Sequence, residues 1–295
     1  MIKETYKYRF SATRILSSLL FGACLCAPSV LRAADGIVQG DSMSASGTNA
    51  SAWGNITSAS GKQGTAWGYD TQATKDNATA WGGDDTPEET ANKIAGGKAS
   101  GISSTAFGLK TEASGKASTA FGKETSAIGE NATAWGNNTS ARGEQSTAWG
   151  LSTMTDAALA TAWGNSTLAT GTQATAWGQS STAAGRNSTA FGSQSSANAD
   201  NSLAALGGTV AAEANDSAAI GNGAKVSQKG TVALGSGSVA NRAAGDTNAY
   251  QRQGKTGSAW VSTHNAVAVG DDVILTQIYP SLWQTQFGNM VVKSL

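Results

Sequence analysis

The sequence predicts an all-β solenoid, a stack of short turns of chain with a period of 14 residues. The phrase Thr-Ala-Trp-Gly, or Thr-Ala-Phe-Gly, ends at Gly150, Gly164, Gly178 and Gly192, which are 14 residues apart. A short, fixed period is the signature of a solenoid in which each repeat is one turn. The chain also has 37 Gly and only 3 Pro, which suits many tight bends between short strands.

Residues 1–33 precede the repeats and are predicted to be a secretory signal peptide. A basic opening that includes Lys3 and Arg14 leads into an apolar stretch at 15–30, which is too short to cross a bilayer as a mature helix. Two alternatives stay open, a buried helix of the fold and a lipoprotein leader ending at Cys24. Both cysteines, Cys24 and Cys26, lie in this segment, so the mature chain is expected to have no thiol and to depend on stacking for stability.

The balance of charge excludes one class of partner. The 20 basic and 20 acidic residues give a net charge of zero, whereas a nucleic-acid-binding surface needs an excess of Lys and Arg. Nine Trp residues and the strict period argue against a disordered linker, despite the many small residues. After residue 33, no stretch is apolar enough to predict a transmembrane helix.

One large apolar residue per turn forms the predicted structural core of the repeat, over residues 34–236. The spacing is 14 except for a step of 26 before Phe107 and a step of 15 before Leu206, which we interpret as a one-residue insertion after Ala199. The thirteen positions are Trp53, Trp67, Trp81, Phe107, Phe121, Trp135, Trp149, Trp163, Trp177, Phe191, Leu206, Ile220 and Leu234.

A second phrase, Ala-x-Gly, precedes the large residue in most turns, as at 59–61 and 113–115. In both phrases small residues alternate with other types, and a period of two residues is typical of a short strand with one buried face. Each turn is therefore predicted to hold two short strands and two bends, with Gly supplying left-handed backbone geometry at the bends. The interior should be thin and filled by small residues, and thirteen turns should stack into a rod about 60 Å long.

The column of rings predicts self-association. Turns in register align one Trp or Phe above the next, and an exposed apolar column of that length is rare on soluble monomers. We expect a homo-oligomer with the rings near its axis. The alternative is that the rings face the interior of the roll.

The paired phrases resemble those of a known family. The segments 217–221 (Ser-Ala-Ala-Ile-Gly) and 231–235 (Thr-Val-Ala-Leu-Gly) are similar to the repeats in the YadA-like head of trimeric autotransporter adhesins, over about residues 41–270. The resemblance implies a left-handed parallel β-roll that assembles as a homotrimer on a Gram-negative surface. It also implies binding to extracellular matrix and host cells, and autoagglutination with other adhesin heads. No cofactor, metal site or catalytic residue is predicted.

Two features are candidate ligand contacts. The repeat is interrupted at about 83–98, where acidic residues cluster around Pro87. The interruption is either an exposed loop or a protruding contact or weak cation site, and its acids lack the fixed spacing of a calcium motif. The outward middle position of the Ala-x-Gly strand is the second candidate. The side chains concerned are Asp84, Asp85, Glu88, Glu89 and Arg142.

After the repeats, residues 237–270 are similar to the head-to-neck connector of the same family, and the lone His264 is expected to be structural. Residues 271–295 depart from the family, because neither a heptad stalk nor anchor strands follow. We expect an exported protein, at the cell surface or outer membrane if an anchor exists elsewhere and otherwise secreted. A truncated or frame-disrupted adhesin, including a non-functional remnant, is the alternative.

Two other functions, catalysis and binding to ice or crystals, are alternatives to adhesion. An enzyme needs a groove with converging catalytic groups, and a 14-residue turn is too small to form one. An ice- or crystal-binding solenoid needs a flat array of Thr, and here the same-face neighbour of each Thr is a ring. The threonines of this column are Thr65, Thr79, Thr105, Thr119, Thr133, Thr147, Thr161, Thr175 and Thr189.

Overall fold

The computed structural model describes residues 37–39, 42–83, 96–242, 244, 265 and 267–269, and these form two parallel β-sheets. The first sheet has fifteen strands, with bounds β1 (Ile37–Gln39), β3 (Ser51–Asn55), β5 (Thr65–Tyr69), β7 (Thr79–Gly82), β9 (Thr105–Leu109), β11 (Thr119–Lys123), β13 (Thr133–Asn137), β15 (Thr147–Leu151), β17 (Thr161–Asn165), β19 (Thr175–Gln179), β21 (Thr189–Phe191), β23 (Leu203–Ala205), β25 (Ala218–Ile220), β27 (Val232–Leu234) and β29 (Val267–Val269).

The second sheet has fourteen strands, each of two residues. They are β2 (Ser44–Ala45), β4 (Ser58–Ala59), β6 (Gln72–Ala73), β8 (Lys98–Ala99), β10 (Glu112–Ala113), β12 (Ser126–Ala127), β14 (Ser140–Ala141), β16 (Met154–Thr155), β18 (Leu168–Ala169), β20 (Thr182–Ala183), β22 (Ser196–Ala197), β24 (Thr209–Val210), β26 (Lys225–Val226) and β28 (Val239–Ala240).

The register confirms the predicted solenoid. The chain alternates between the sheets, and each strand pairs in parallel with the strand one turn later, so that Ala148 lies beside Ala162 and Trp149 beside Trp163. The second strand of each turn differs in one detail from the prediction. It contains the residue before Ala and the Ala itself, as in Ser58–Ala59, because the following Ser60 and Gly61 belong to the bend.

Small side chains fill the space between the sheets, as predicted. The first sheet contributes a column that includes Ala148 and Ala162, and the second contributes one that includes Ala141 and Ala169, all fully buried. Buried Thr or Ser side chains, such as Thr139 and Ser146, close the interior near the bends. An interior of alanines brings the two sheets close together, so little room remains for a large side chain.

The bends use glycine only partly in the predicted way. Most turns have an outgoing corner after the first-sheet strand and an incoming corner before it, each with a residue at φ between 47° and 60° that is mostly Asn, Gln, Ser or a charged residue. In the last turns Gly223, Gly230 and Gly237 take these places, with φ between 66° and 71°. The glycine after each ring also has a positive φ, and the repeat glycines allow close packing between turns. A Cβ on Gly61 would lie 2.0 Å from the carbonyl oxygen of Lys75, and one on Gly150 would lie 1.8 Å from that of Gly164.

The first irregularity in the repeat is an insertion that leaves the stack intact. Trp81 pairs directly with Phe107, although the two residues are 26 apart in sequence. The backbone N–H of Gly96 already donates to the carbonyl oxygen of Tyr69, and Lys98 pairs with Gln72 in the second sheet. The regular stack therefore resumes by residue 96, before the end of the predicted interval 83–98.

The second irregularity corrects the predicted register. Phe191 pairs with Ala205, and Ala205 pairs with Ile220, so Leu206 does not belong to the column of large residues. No residue is inserted after Ala199. The outgoing corner after Ala205 is shortened and the incoming corner before β25 is lengthened, because the second-sheet strand β24 pairs 13 residues after β22 and 16 residues before β26.

The last described strand lies within the predicted connector. Val232, Ala233 and Leu234 pair with Val267, Ala268 and Val269, and Ala268 is buried like the alanines before it. The first sheet thus continues beyond residue 236 with the same inward and outward alternation.

Candidate interaction surface

The main surface feature is a continuous column of aromatic rings on the outer face of the first sheet. In the strand Thr147–Leu151, Ala148 is buried whereas Trp149 is exposed, and the pattern repeats in neighbouring strands. Except for the half-buried Phe121, the rings are 36–49% exposed. The ten rings are Trp53, Trp67, Trp81, Phe107, Phe121, Trp135, Trp149, Trp163, Trp177 and Phe191.

This placement decides between the two positions that the sequence left open for the rings. They lie on the outside of the roll, and small side chains form its interior. In the described residues, Ala, Ser and Thr side chains fill the interior together with Val210 and Val226, and Tyr69 at the end of β5 is the one buried aromatic residue. Ile220, Leu234 and Val269 continue the column on the outside, with Ala205 in the place predicted for Leu206.

Neighbouring rings are in direct contact along the column. The distances between ring centroids run from 4.6 Å to 5.8 Å, close to the spacing of adjacent strands. From Trp135 to Trp177 the rings are parallel to within 7°. Within this run, Trp149 and Trp163 therefore have both faces covered by neighbouring rings and present their edges to the outside.

Edge-on exposure limits what the column can bind. Stacking against a sugar or a base needs a free aromatic face, and the inner rings such as Trp149 and Trp163 have none. A row of ring edges forms a long, narrow apolar ridge. Such a ridge is suited to another apolar protein surface that follows it along its length.

The threonine column lies beside the rings on the same outer face. Thr147 and its equivalents are half-buried for the most part, whereas the rings next to them are more exposed. The first sheet therefore does not present a flat face of threonines.

The outer face of the second sheet is mainly polar. Ser58, Gln72, Glu112 and Ser126 are typical of its outward positions. The neighbours Met154 and Leu168 interrupt this pattern, and so does the exposed Val239 further along the sheet.

Arg142, the candidate contact from the sequence, lies on this side of the molecule and is half-exposed. Its Nη1 atom is 3.0 Å from Oδ1 of Asp156 one turn later and 2.9 Å from Sδ of Met154. Similar ion pairs link successive turns elsewhere, including Lys116 to Glu130 at 3.1 Å. The guanidinium thus has a partner in the next turn while remaining accessible.

The other candidate residues lie outside the described residues. Asp84, Asp85, Glu88 and Glu89 are in that group, and so are His264, the predicted leader at 1–33 and the tail at 271–295. In the described part of the chain, no group of three or more His, Cys, Asp or Glu side chains is placed to hold a metal ion. The same part has no helix long and apolar enough to cross a membrane.

Sequence reasoning missed the corners as features of the surface. Exposed apolar side chains lie at or next to them, as at Ile56, Leu151 and Leu159. The signal was available, since each interrupts a column that is otherwise mainly polar when the turns are aligned at 14 residues.

The fold defines a class, the parallel β-solenoid repeat proteins with very short turns. The chain belongs to the family of the YadA head domain repeat, whose matches together cover more than half of it, at residues 45–70, 59–84, 99–125, 127–152, 162–188, 183–205 and 212–238. This is not an enzyme family, and membership supports an adhesin-type function.

The chain is similar to a solved structure, the collagen-binding domain of the Yersinia adhesin YadA. The sequences are 19% identical, the match covers 68% of this chain and 85% of that one, and the TM-score is 0.31. The comparison with curated proteins gives no match.

Proposed function

We propose that this chain is the binding head of a bacterial adhesin that is exported to the cell surface or secreted. Three copies assemble around their aromatic columns, and the assembly binds extracellular matrix proteins or host cells and associates with other adhesin heads. Family membership supports the adhesin function. The observation that carries the assembly is the ridge of exposed rings, because a soluble monomer rarely leaves a contiguous apolar surface of that length in water.

Assembly through the first sheet assigns different roles to the two sheets. With the ring edges turned towards an axis, the polar second sheet and the corner beside it face outwards in every copy. The outward side chains, including Arg142 and its column, recur at each turn and in each chain. Many weak, identical contacts of this kind give avidity for a repetitive ligand such as a matrix fibre.

Collagen is the first ligand to test, since the similar Yersinia domain is described as collagen-binding. Full-length protein is passed over immobilised collagen and over an albumin surface, at concentrations where the protein is assembled. We expect slow dissociation from collagen that becomes faster when the assembly is dissociated by dilution. Equal signals on both surfaces would overturn collagen as the ligand, and fibronectin, laminin and cultured cells are then tested in the same format.

Two variants test which part of the surface binds the ligand. Deleting residues 84–94 tests the insertion, whose acids are proposed contacts, and Arg142→Ala tests the outward face of the second sheet. The matched control is Lys116→Ala, which also removes one partner of an exposed ion pair between turns. Unchanged binding by the deletion variant would remove the insertion from the binding surface.

A further inference from the structure

Three exposed aliphatic residues occupy backbone conformations that disfavour them. Among the described residues with positive φ other than glycine, Ile56 (φ 57°), Leu159 (φ 59°) and Leu206 (φ 55°) are the large aliphatic ones. Their exposed fractions are 44%, 47% and 60%. Bulky side chains are uncommon in the left-handed region, and these three gain little burial within the chain in return.

Leu159 is the clearest case because its column shows what the position prefers. Its backbone N–H donates to the carbonyl oxygen of Glu144 at 2.9 Å, as the equivalent residues do in other turns, so the corner is fully formed. Asn and Gln tolerate this conformation better and keep the surface polar. The other residues of the incoming column are Asn49, Gln63, Asn77, Ser103, Ala117, Asn131, Gln145, Gln173, Asn187, Asn201, Asp216 and Gly230.

The same turn of the solenoid has a second exposed leucine at the opposite edge of the first sheet. Leu151 ends strand β15 just before the outgoing corner and is 45% exposed. It lies in register between Asn137 and Asn165. Leu159 comes just before strand β17, so the two leucines flank the first sheet on its two sides, within one turn of each other.

We infer that Leu151 of one copy packs against Leu159 of the next copy, and that this contact sets the register of the assembled rods. The inference rests on the proposed trimer. In a closed ring of identical parallel rods, each chain presents one edge of its inner sheet to one neighbour and the other edge to the other neighbour. An apolar contact between neighbouring chains then needs an apolar residue on both edges of the sheet in the same turn. Leu151 and Leu159 meet that condition.

A second copy fits the observations better than a foreign ligand. A ligand that covers one edge of the sheet explains one exposed leucine, whereas here both edges are apolar and the ridge of rings lies between them. The residues one turn before and one turn after Leu151 are polar, and this affects how two rods can align. A shift of one turn would place Leu159 against Asn137 or Asn165, so the leucine pair favours one alignment of the rods over its neighbours.

The test uses substitutions whose effects on the single chain and on the assembly have opposite signs. Leu159→Asn installs the residue that its column prefers, so it should not lower the stability of the isolated chain. We expect it to weaken assembly by at least about tenfold, because an apolar contact is lost in each copy. Leu151→Asn should do the same, and the double variant should be little worse than either single one, since both remove one contact.

The matched control is Ala117→Asn, at the same corner three turns away, which should leave assembly unchanged. Sedimentation of the full chain over a range of concentrations measures each effect. Wild-type protein that stays monomeric would overturn the proposed trimer and this contact with it. A wild-type trimer that Leu159→Asn leaves equally tight would overturn the contact alone.

Cross-linking tests the contact between Leu151 and Leu159 without relying on the stability of the asparagine variants. In a background with Cys24→Ser and Cys26→Ser, the double variant Leu151→Cys and Leu159→Cys is oxidised and separated under denaturing conditions. Covalent trimers are expected from the double variant, and neither single cysteine variant should give them, because the contact joins two different positions. Trimers that are present before denaturation but fail to cross-link would contradict the pairing.

Discussion

Trp149 and Trp163 stack with their ring centroids 4.7 Å apart and their planes within 3°. The two residues are 14 apart in sequence and pair directly in adjacent strands, so the β-ladder itself sets the ring spacing. Strand spacing in a parallel sheet is close to a good stacking distance between aromatic rings. One residue per turn can therefore form an unbroken column without any adjustment of the backbone.

The first prediction concerns the stability that this stacking contributes. A double-mutant cycle of Trp149→Ala and Trp163→Ala should give a coupling of about 1 kcal/mol in the free energy of unfolding, in addition to the loss of apolar contact. Denaturant unfolding measures it. The control cycle combines Trp149→Ala with Leu234→Ala, which lies far along the column and should be additive. Equal coupling in both cycles would show that the rings do not act as neighbours.

The second prediction concerns the glycine after the ring. Gly150→Ala should destabilise the fold by more than about 3 kcal/mol or prevent folding, because its Cβ would lie 1.8 Å from the Gly164 carbonyl oxygen at a φ of 138°. Gly223→Ala is the control, since Gly223 has a φ of 71° but no atom nearer than 3.9 Å to the added Cβ. It should cost only about 1 kcal/mol. Thermal unfolding of both variants shows whether the loss of stability comes mainly from the steric clash or from the backbone conformation.

The third prediction distinguishes two buried threonines in equivalent places. Oγ1 of Thr125 is buried without a hydrogen-bond partner in the described structure. Oγ1 of Thr153 donates to the carbonyl oxygen of Gly164 at 2.9 Å and accepts from Oγ1 of Thr167 at 3.1 Å. Thr125→Val should be neutral or stabilising, whereas Thr153→Val should cost about 1–3 kcal/mol. Denaturant midpoints measure the difference, and equal losses at both sites would contradict the assignment of hydrogen bonds.

The fourth prediction separates binding from stability at Arg142. Its ion pair with Asp156 is about half-exposed, so Arg142→Ala should change the free energy of unfolding by less than about 1 kcal/mol. Binding to matrix protein should nevertheless fall if the outward column carries the ligand, and Lys116→Ala shows what loss of an equivalent ion pair does by itself. A large loss of stability with unchanged binding would make Arg142 a structural residue only.

The repeat phrase made most of this fold predictable from sequence. A fixed period places equivalent residues above one another, and alternation along the strand puts Ala148 and Trp149 on opposite faces, one inwards and one outwards. The sequence did not settle which, since a ring column can fill a wide roll. The answer depends on the width of the interior, which the alanines of both strands, such as Ala141 and Ala148, make too narrow for rings.

The errors at Leu206 and at the corners have physical causes. The segment 204–207 (Ala-Ala-Leu-Gly) mimics the repeat phrase one residue too late, and the register follows the buried Ala204 instead. Glycine was predicted at the left-handed corners and is found there at Gly223 and Gly230, whereas Asn131 and Asn138 adopt the same geometry with hydrogen bonds between turns. The corner leucines were missed because their polar surroundings are visible only when the turns are aligned, and the contact proposed for them lies between chains.

The most direct test of the proposed assembly is the mass of the purified chain in solution by sedimentation equilibrium, at micromolar concentration. We predict three times the chain mass, with the trimer dissociating only on dilution. A stable, soluble monomer over the whole concentration range would contradict the burial of the aromatic column against other copies, and the corner contact would then be wrong as well.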